Sequence, residues 1–225
     1  MAQVRRPLAP FGRIADRQTA FILAASIVNA TIALLVLRGW GTSSDGVELA
    51  LRVTARVSCF YFLLAFVAAP LRRLAPGPLT SWLVRYRRAF GVTFGISMSM
   101  HVMLISRMFV IYAPEKPPMV TWADFLIGIP GLVLVALMTI TSFDRLKRAL
   151  GPTRWKQLHR AGLFFVWSIF FLCLVDSVSR KETDHPVLAY DAFIAILILA
   201  MSLRIGAWRR DVQERARPGR PFAAG

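Results

Sequence analysis

Residues 88–110, RAFGVTFGISMSMHVMLISRMFV, decide the fold. An arginine opens the run, and from Ala89 to Ser106 the only ionisable side chain is His101. A helix rises about 1.5 Å per residue, so about 20 apolar residues cross the hydrocarbon core of a bilayer. Five further stretches of this kind, Thr19–Leu37, Arg52–Leu71, Trp122–Ser142, Arg160–Val178 and Val187–Ala207, lie between charged or proline-containing connectors. Backbone groups in lipid must bond within their own segment, so each run is expected to be helical. The expected fold is an all-α, polytopic bundle of six transmembrane helices over 19–207, flanked by a basic arm, 1–18, and a basic tail, 208–225.

Composition agrees. Net charge is +16 over 225 residues, a balance that would suit a nucleic-acid binder, but 56% of the residues are hydrophobic and mean hydropathy is +0.54. Soluble basic domains are not so apolar, and no nucleic-acid motif is present. The cations are instead sorted by side: 21 of the 28 Lys and Arg fall in the arm, the second and fourth connectors and the tail. Arg38, Arg52, Arg56, Arg107, Lys116, Arg180 and Lys181 fall on the other side. The positive-inside rule then places both termini in the cytoplasm of a bacterial inner membrane, with the basic connectors facing anionic lipid. Trp40, Trp82, Trp122, Trp155 and Trp208 fall at span ends, where an indole prefers to sit. The first span reads as an uncleaved signal anchor, and the tail as a frayed end. That tail is too short for a Rossmann-type flavin or nicotinamide domain. A catalytic module is therefore expected on a separate redox-partner protein. Cys59 and Cys173 lie within spans and form no CxxC pair, so packing is their default role.

Polar residues inside a membrane are costly and mark chemistry. His101 follows Arg88 by thirteen residues, which puts it about 20 Å along the helix, in the outer half of the bilayer. His159 abuts Arg160 at the inner boundary, and His185 stands in an outer connector. The two membrane histidines lie at different depths, so one metal site gripped by both is disfavoured. Each feature also has a structural use. His101 can hydrogen-bond between helices, His159 can contact headgroups, and Gly91 and Gly95 can form a small-residue packing stripe rather than admit a macrocycle. Met98, Met100 and Met103 serve as filler. Arg52, Arg56, Arg107, Asp124, Asp176 and Asp191 map to the outer ends of their helices and are expected to pair with one another.

Arg87-Arg88-Ala-Phe-Gly91 with His101, Pro70-Leu-Arg-Arg73, the run Thr139–Gly151 and Trp155-Lys-Gln-Leu-His159-Arg160 together resemble the ferric-reductase-like transmembrane family. Within it they are similar to the haem-binding membrane subunits of bacterial periplasmic methionine sulfoxide reductase systems. The resemblance covers the second to fifth spans in order. It implies a bundle that holds b-type haem between the third and fifth spans and passes electrons from quinol or a flavin donor to a partner.

The departures are as informative. Family members usually carry a second histidine thirteen residues after the one matching His159, and here that position is Leu172. The inner histidine position of two-haem relatives falls at or near Arg87. Three arrangements stay open. Haem binds with His101 on the iron and Cys173, a methionine or no protein group opposite; or the fold persists without haem; or His159 and its neighbouring cations hold a quinone headgroup or a flavin (FMN) phosphate. Arg56 or Arg107 could neutralise a haem propionate. The reading is an integral-membrane electron-transfer subunit, the alternative a haem-less membrane scaffold or assembly protein.

Overall fold

The computed structural model describes residues 10–112, 122–179 and 190–216. The described residues form seven helices and no strand: α1 Pro10–Trp40, α2 Ser44–Leu74, α3 Pro78–Arg107, α4 Trp122–Ile140, α5 Asp144–Leu150, α6 Pro152–Ser179 and α7 Tyr190–Ala216. A π-helical turn, Met108–Tyr112, continues α3. His185, Lys116, Arg180 and Lys181, and the outermost parts of the arm and tail, lie outside the described residues.

Local chemistry sets the helix ends. The Ser43 side chain accepts from the Gly46 N–H at the start of α2, and Asp45 in the first turn complements the helix dipole. Pro78 opens α3, where its missing N–H costs nothing, and the Thr80 hydroxyl accepts from the Gly77 N–H at 3.0 Å. Gly41 and Gly151, at φ 82° and 78°, turn the chain between α1 and α2 and between α5 and α6.

The six apolar runs correspond to α1, α2, α3, α4, α6 and α7. Five of these are long and apolar enough to cross a membrane, and six if Leu126–Ile140 and Asp144–Leu150, bent by 109° at the break between them, count as one span. The molecule is a polytopic all-α bundle. Beyond Ala207 the chain stays helical to Ala216 rather than fraying, because Asp211 and Glu214 on that extension both pair with Arg73 of α2.

The central helix is α2, which packs on α1, α3 and α7, while α4 packs on α6 and α6 on α7. The antiparallel register of α2 and α3 is fixed by two polar rungs and one aromatic rung: Thr54 with His101, Ser58 with Ser97, and Phe62 with Phe94. The steps are four and four residues on α2 and four and three on α3, each about one turn of the shared face. In mid-bundle Phe62, Phe94 and Phe170 pack with ring centroids 5.5–6.1 Å apart, within the range of favourable aromatic pairs. Small residues bring the other helices close. Gly95 of α3 lies against Thr139 of α4, and Gly162 of α6 against Met138 of α4. A Cβ on Gly95 would collide with the Thr139 hydroxyl, so this glycine serves helix packing, while Gly91 borders open space.

In α2, Pro70 supplies no N–H to the Phe66 carbonyl one turn earlier. Arg204 of α7 donates to that carbonyl at 3.1 Å, and Arg87 of α3 donates to the neighbouring Ala65 carbonyl at 3.1 Å. The Arg204 guanidinium also lies over the rings of Phe66 and Phe164, at 4.5 and 5.1 Å. Two arginines at the cation-rich end of the bundle thus donate to backbone carbonyls one turn before Pro70.

Candidate functional site

At the opposite end, α2, α3, α6 and α7 leave a cavity of about 240 Å³ between them. Its α3 wall is His101 and Ile105, and α2 contributes Arg52, Arg56 and Cys59. Phe170, Cys173 and Ser177 come from α6, and Tyr190 and Phe193 from α7. The floor is the Phe62, Phe94 and Phe170 cluster, since Phe170 belongs to both.

His101 is held from behind. Its Nδ1 lies 3.0 Å from Oγ1 of Thr54, a fully buried residue one helix away. Thr54 is locked in turn, because its hydroxyl lies 2.8 Å from the Ala50 carbonyl. A polar chain continues beside it. The Asn29 amide of α1 donates to Ser97 Oγ at 2.8 Å, Ser97 and Ser58 share a bond of 2.7 Å, and Ser58 donates to the Thr54 carbonyl at 2.8 Å. Three helices are therefore tied together by hydroxyl and amide groups where water does not reach, and such bonds each contribute about 0.6–2 kcal/mol in membrane bundles.

The cations sorted to this end are organised by Tyr190 and Glu48. Arg52 pairs with Glu48 and donates to the Tyr190 hydroxyl at 3.1 Å, and the Arg56 guanidinium lies 4.3 Å from the centre of the Tyr190 ring. Glu48, on the same helix one turn before Arg52, is thus among the partners of these arginines, and the Asp124 side chain lies outside the described residues. Arg107 is exposed and does not line the cavity, so the structure separates it from Arg56.

Leu172, the position where the family pattern puts a histidine, is 53% exposed and does not line the cavity. Its neighbour Cys173 does, facing the same space as His101. Cys59 packs in the buried core, as expected, and also reaches the cavity wall. Among the described residues no three His, Cys, Asp or Glu side chains gather into a metal-chelating cluster.

His159 belongs to a different place. Its Nε2 lies 3.3 Å from Thr141 Oγ1, its ring packs on Trp155 at 4.3 Å, and the Trp155 indole N–H donates to the Thr141 carbonyl at 3.0 Å. The group closes the α4–α5 break. Arg87 and Lys147 lie near enough for their charges to act on the His159 ring. His101 and His159 share no cavity, as their different depths require.

The residues that reasoning from sequence missed are Thr54, Ser58, Ser97, Asn29 and Tyr190. A signal for three of them existed. Two hydroxyls a turn apart in the second span face a hydroxyl and an imidazole a turn apart in the third.

A family model for the ferric reductase like transmembrane component matches residues 53–171, just over half of the chain and all of α3, α4 and α5. The chain belongs to the ferric reductase like transmembrane family. Two curated relatives extend the likeness. A protein-methionine-sulfoxide reductase heme-binding subunit, MsrQ, of Herminiimonas arsenicoxydans is 22% identical over 216 residues, 90% of each chain. The protein of the same name from Ralstonia nicotianae is 24% identical over 174 residues, covering 74% of this chain and 75% of the relative. No solved structure matches. The family assignment accounts for a helical membrane domain whose third and fifth spans face one another across the cavity.

Proposed function

We propose that this chain is the membrane electron-transfer subunit of a two-component reductase and that it holds one b-type haem in the His101 cavity. The observation that carries the reading is His101 itself: an imidazole anchored through Nδ1 to Thr54 on the wall of a space that Cys173 and two arginines also line. The donor set fits. An imidazole nitrogen and a thiolate are both accepted axial ligands of haem iron. Arg52 and Arg56 supply the guanidiniums that match propionate geometry, and Phe170, Phe193 and Leu174 supply apolar walls. Bound haem supplies reversible one-electron chemistry at a potential set by its axial ligands and surroundings.

In this reading His101 and Cys173, on opposite walls, would hold the group, and Arg56, which lies over the Tyr190 ring, would pair with a propionate. Electrons enter from quinol or a flavin such as FMN at the His159 end and leave to a separate protein that carries the catalytic module. The sorted cations support an inner-membrane location with both termini cytoplasmic. The names of the relatives support haem as the group and methionine sulfoxide reduction as the partner's chemistry.

A second reading is favoured by one observation: at about 240 Å³ the cavity falls below the ~300–1,000 Å³ usual for ligand pockets. In that reading the protein is a haem-less scaffold. A dithionite-reduced minus oxidised spectrum of protein expressed with haem supply decides between them. The haem reading expects a b-type signal that is lost in His101→Ala and persists in His159→Ala. Colourless, folded wild-type protein overturns it.

A further inference from the structure

We propose that Thr54 is a positioning residue that fixes the neutral Nδ1–H tautomer of His101, so that Nε2 presents a lone pair to the cavity. The inference deepens the haem reading, on which its purpose rests, but its test does not need haem.

The argument is one of counting protons. The Thr54 hydroxyl has one proton and three acceptors within reach: the Ala50 carbonyl at 2.8 Å, the Leu51 carbonyl at 3.1 Å and His101 Nδ1 at 3.0 Å. If the proton goes to Ala50, Oγ1 keeps its lone pairs and accepts from Nδ1–H, so one hydroxyl makes two bonds. If it goes to Nδ1, the hydroxyl makes one bond, and the ring must then carry its proton on Nε2. The first arrangement makes one bond more and keeps the hydroxyl proton on the intrahelical acceptors Ala50 and Leu51, and a net buried hydrogen bond contributes about 0.5–1.5 kcal/mol. The first arrangement wins.

The same conclusion follows from the neighbouring rung. Ser58 donates to the Thr54 carbonyl, Ser97 to Ser58 and Asn29 to Ser97, which gives every hydroxyl in the ladder one donated and one accepted bond. The ladder fixes Thr54 in rotation and height, and Thr54 fixes the ring. A histidine ligand whose other nitrogen is held by a hydrogen bond has its metal-facing nitrogen defined by that bond. Here the acceptor is a threonine on the adjacent helix, in place of the carboxylate or carbonyl more often used.

The test uses ¹⁵N-histidine-labelled full-length protein in lipid, with no haem added, and reads the imidazole nitrogen shifts by solid-state NMR. With three histidines in the chain, His159→Gln and His185→Gln assign the signals. Wild type is expected to show His101 as the Nδ1–H tautomer. Thr54→Val, close in shape, is expected to move it to the Nε2–H form that predominates in water, and Thr54→Ser to restore the wild-type signal. An Nε2–H signal in wild type, or no change in Thr54→Val, overturns the proposal, whatever the haem spectrum shows. In haem titrations Thr54→Val is expected to bind about 10–100-fold more weakly, as lost outer-shell partners generally do, and Thr54→Ser to bind as wild type. If wild type binds no haem, the electron-transfer reading fails and the tautomer result still stands.

Discussion

Pro70 offers a sharp test of how this bundle satisfies its backbone. Arg204→Met keeps the alkyl stem but removes the donor that caps the Phe66 carbonyl and the charge that lies over the rings of Phe66 and Phe164. Leaving a buried carbonyl unsatisfied costs about 1–3 kcal/mol, and losing a partly desolvated cation–π pair costs about 0.5–2 kcal/mol. Removing a half-buried charge returns part of its desolvation penalty, so the net loss should be about 2 kcal/mol. Pro70→Ala supplies a new N–H four residues after Phe66, within reach of the same carbonyl. In that background Arg204 is redundant as a cap, and Arg204→Met should cost about 1 kcal/mol less than in wild type. The assay is a double-mutant cycle of reversible unfolding in mixed micelles, titrated with SDS and followed by far-UV circular dichroism. Sites that do not interact add to within about 0.5 kcal/mol. Strict additivity would refute the claim that arginine substitutes for the missing proline N–H.

Two further outcomes follow from the packing. Gly95→Ala drives a methyl into Thr139 and should destabilise the bundle by about 1–3 kcal/mol; adding Thr139→Ala should recover part of the loss, measured by the same unfolding titration. Asn29→Ala removes the amide that ties α1 to Ser97 and should cost about 0.6–2 kcal/mol. Hydrogen exchange should then rise in α1 while α6 and α7 stay protected.

Much of the bundle is legible in the chain because lipid imposes one rule: an apolar run of sufficient length must be helical. Spans, the sorting of arginines and the separation of His101 from His159 follow from that rule and from helix rise. What stays hidden depends on rotation about helix axes. Periodicity does not say that Cys173 rather than Leu172 turns toward His101, or that Arg56 turns inward and Arg107 outward. The 109° break after Ile140 is also invisible, because Thr141 and Ser142 are ordinary residues in a helix. Their stop signal is a tertiary contact, the Trp155 indole on the Thr141 carbonyl. The tail after Ala207 looked unstructured because its polar residues were read singly, whereas Asp211 and Glu214, three apart, lie on one helix face toward Arg73.

The α2–α3 rungs join residues only 47 and 39 positions apart in the chain. The cavity is consequently assembled from two pieces with separate histories: a hairpin that locks its imidazole early in synthesis, and a later pair, α6 and α7, that closes the opposite side. Nothing that holds His101 to Thr54 reaches across to α6. Substitutions at position 173 can therefore change what faces the histidine without changing how the histidine is held, so the α6 wall of the cavity can vary while the α2–α3 side is kept.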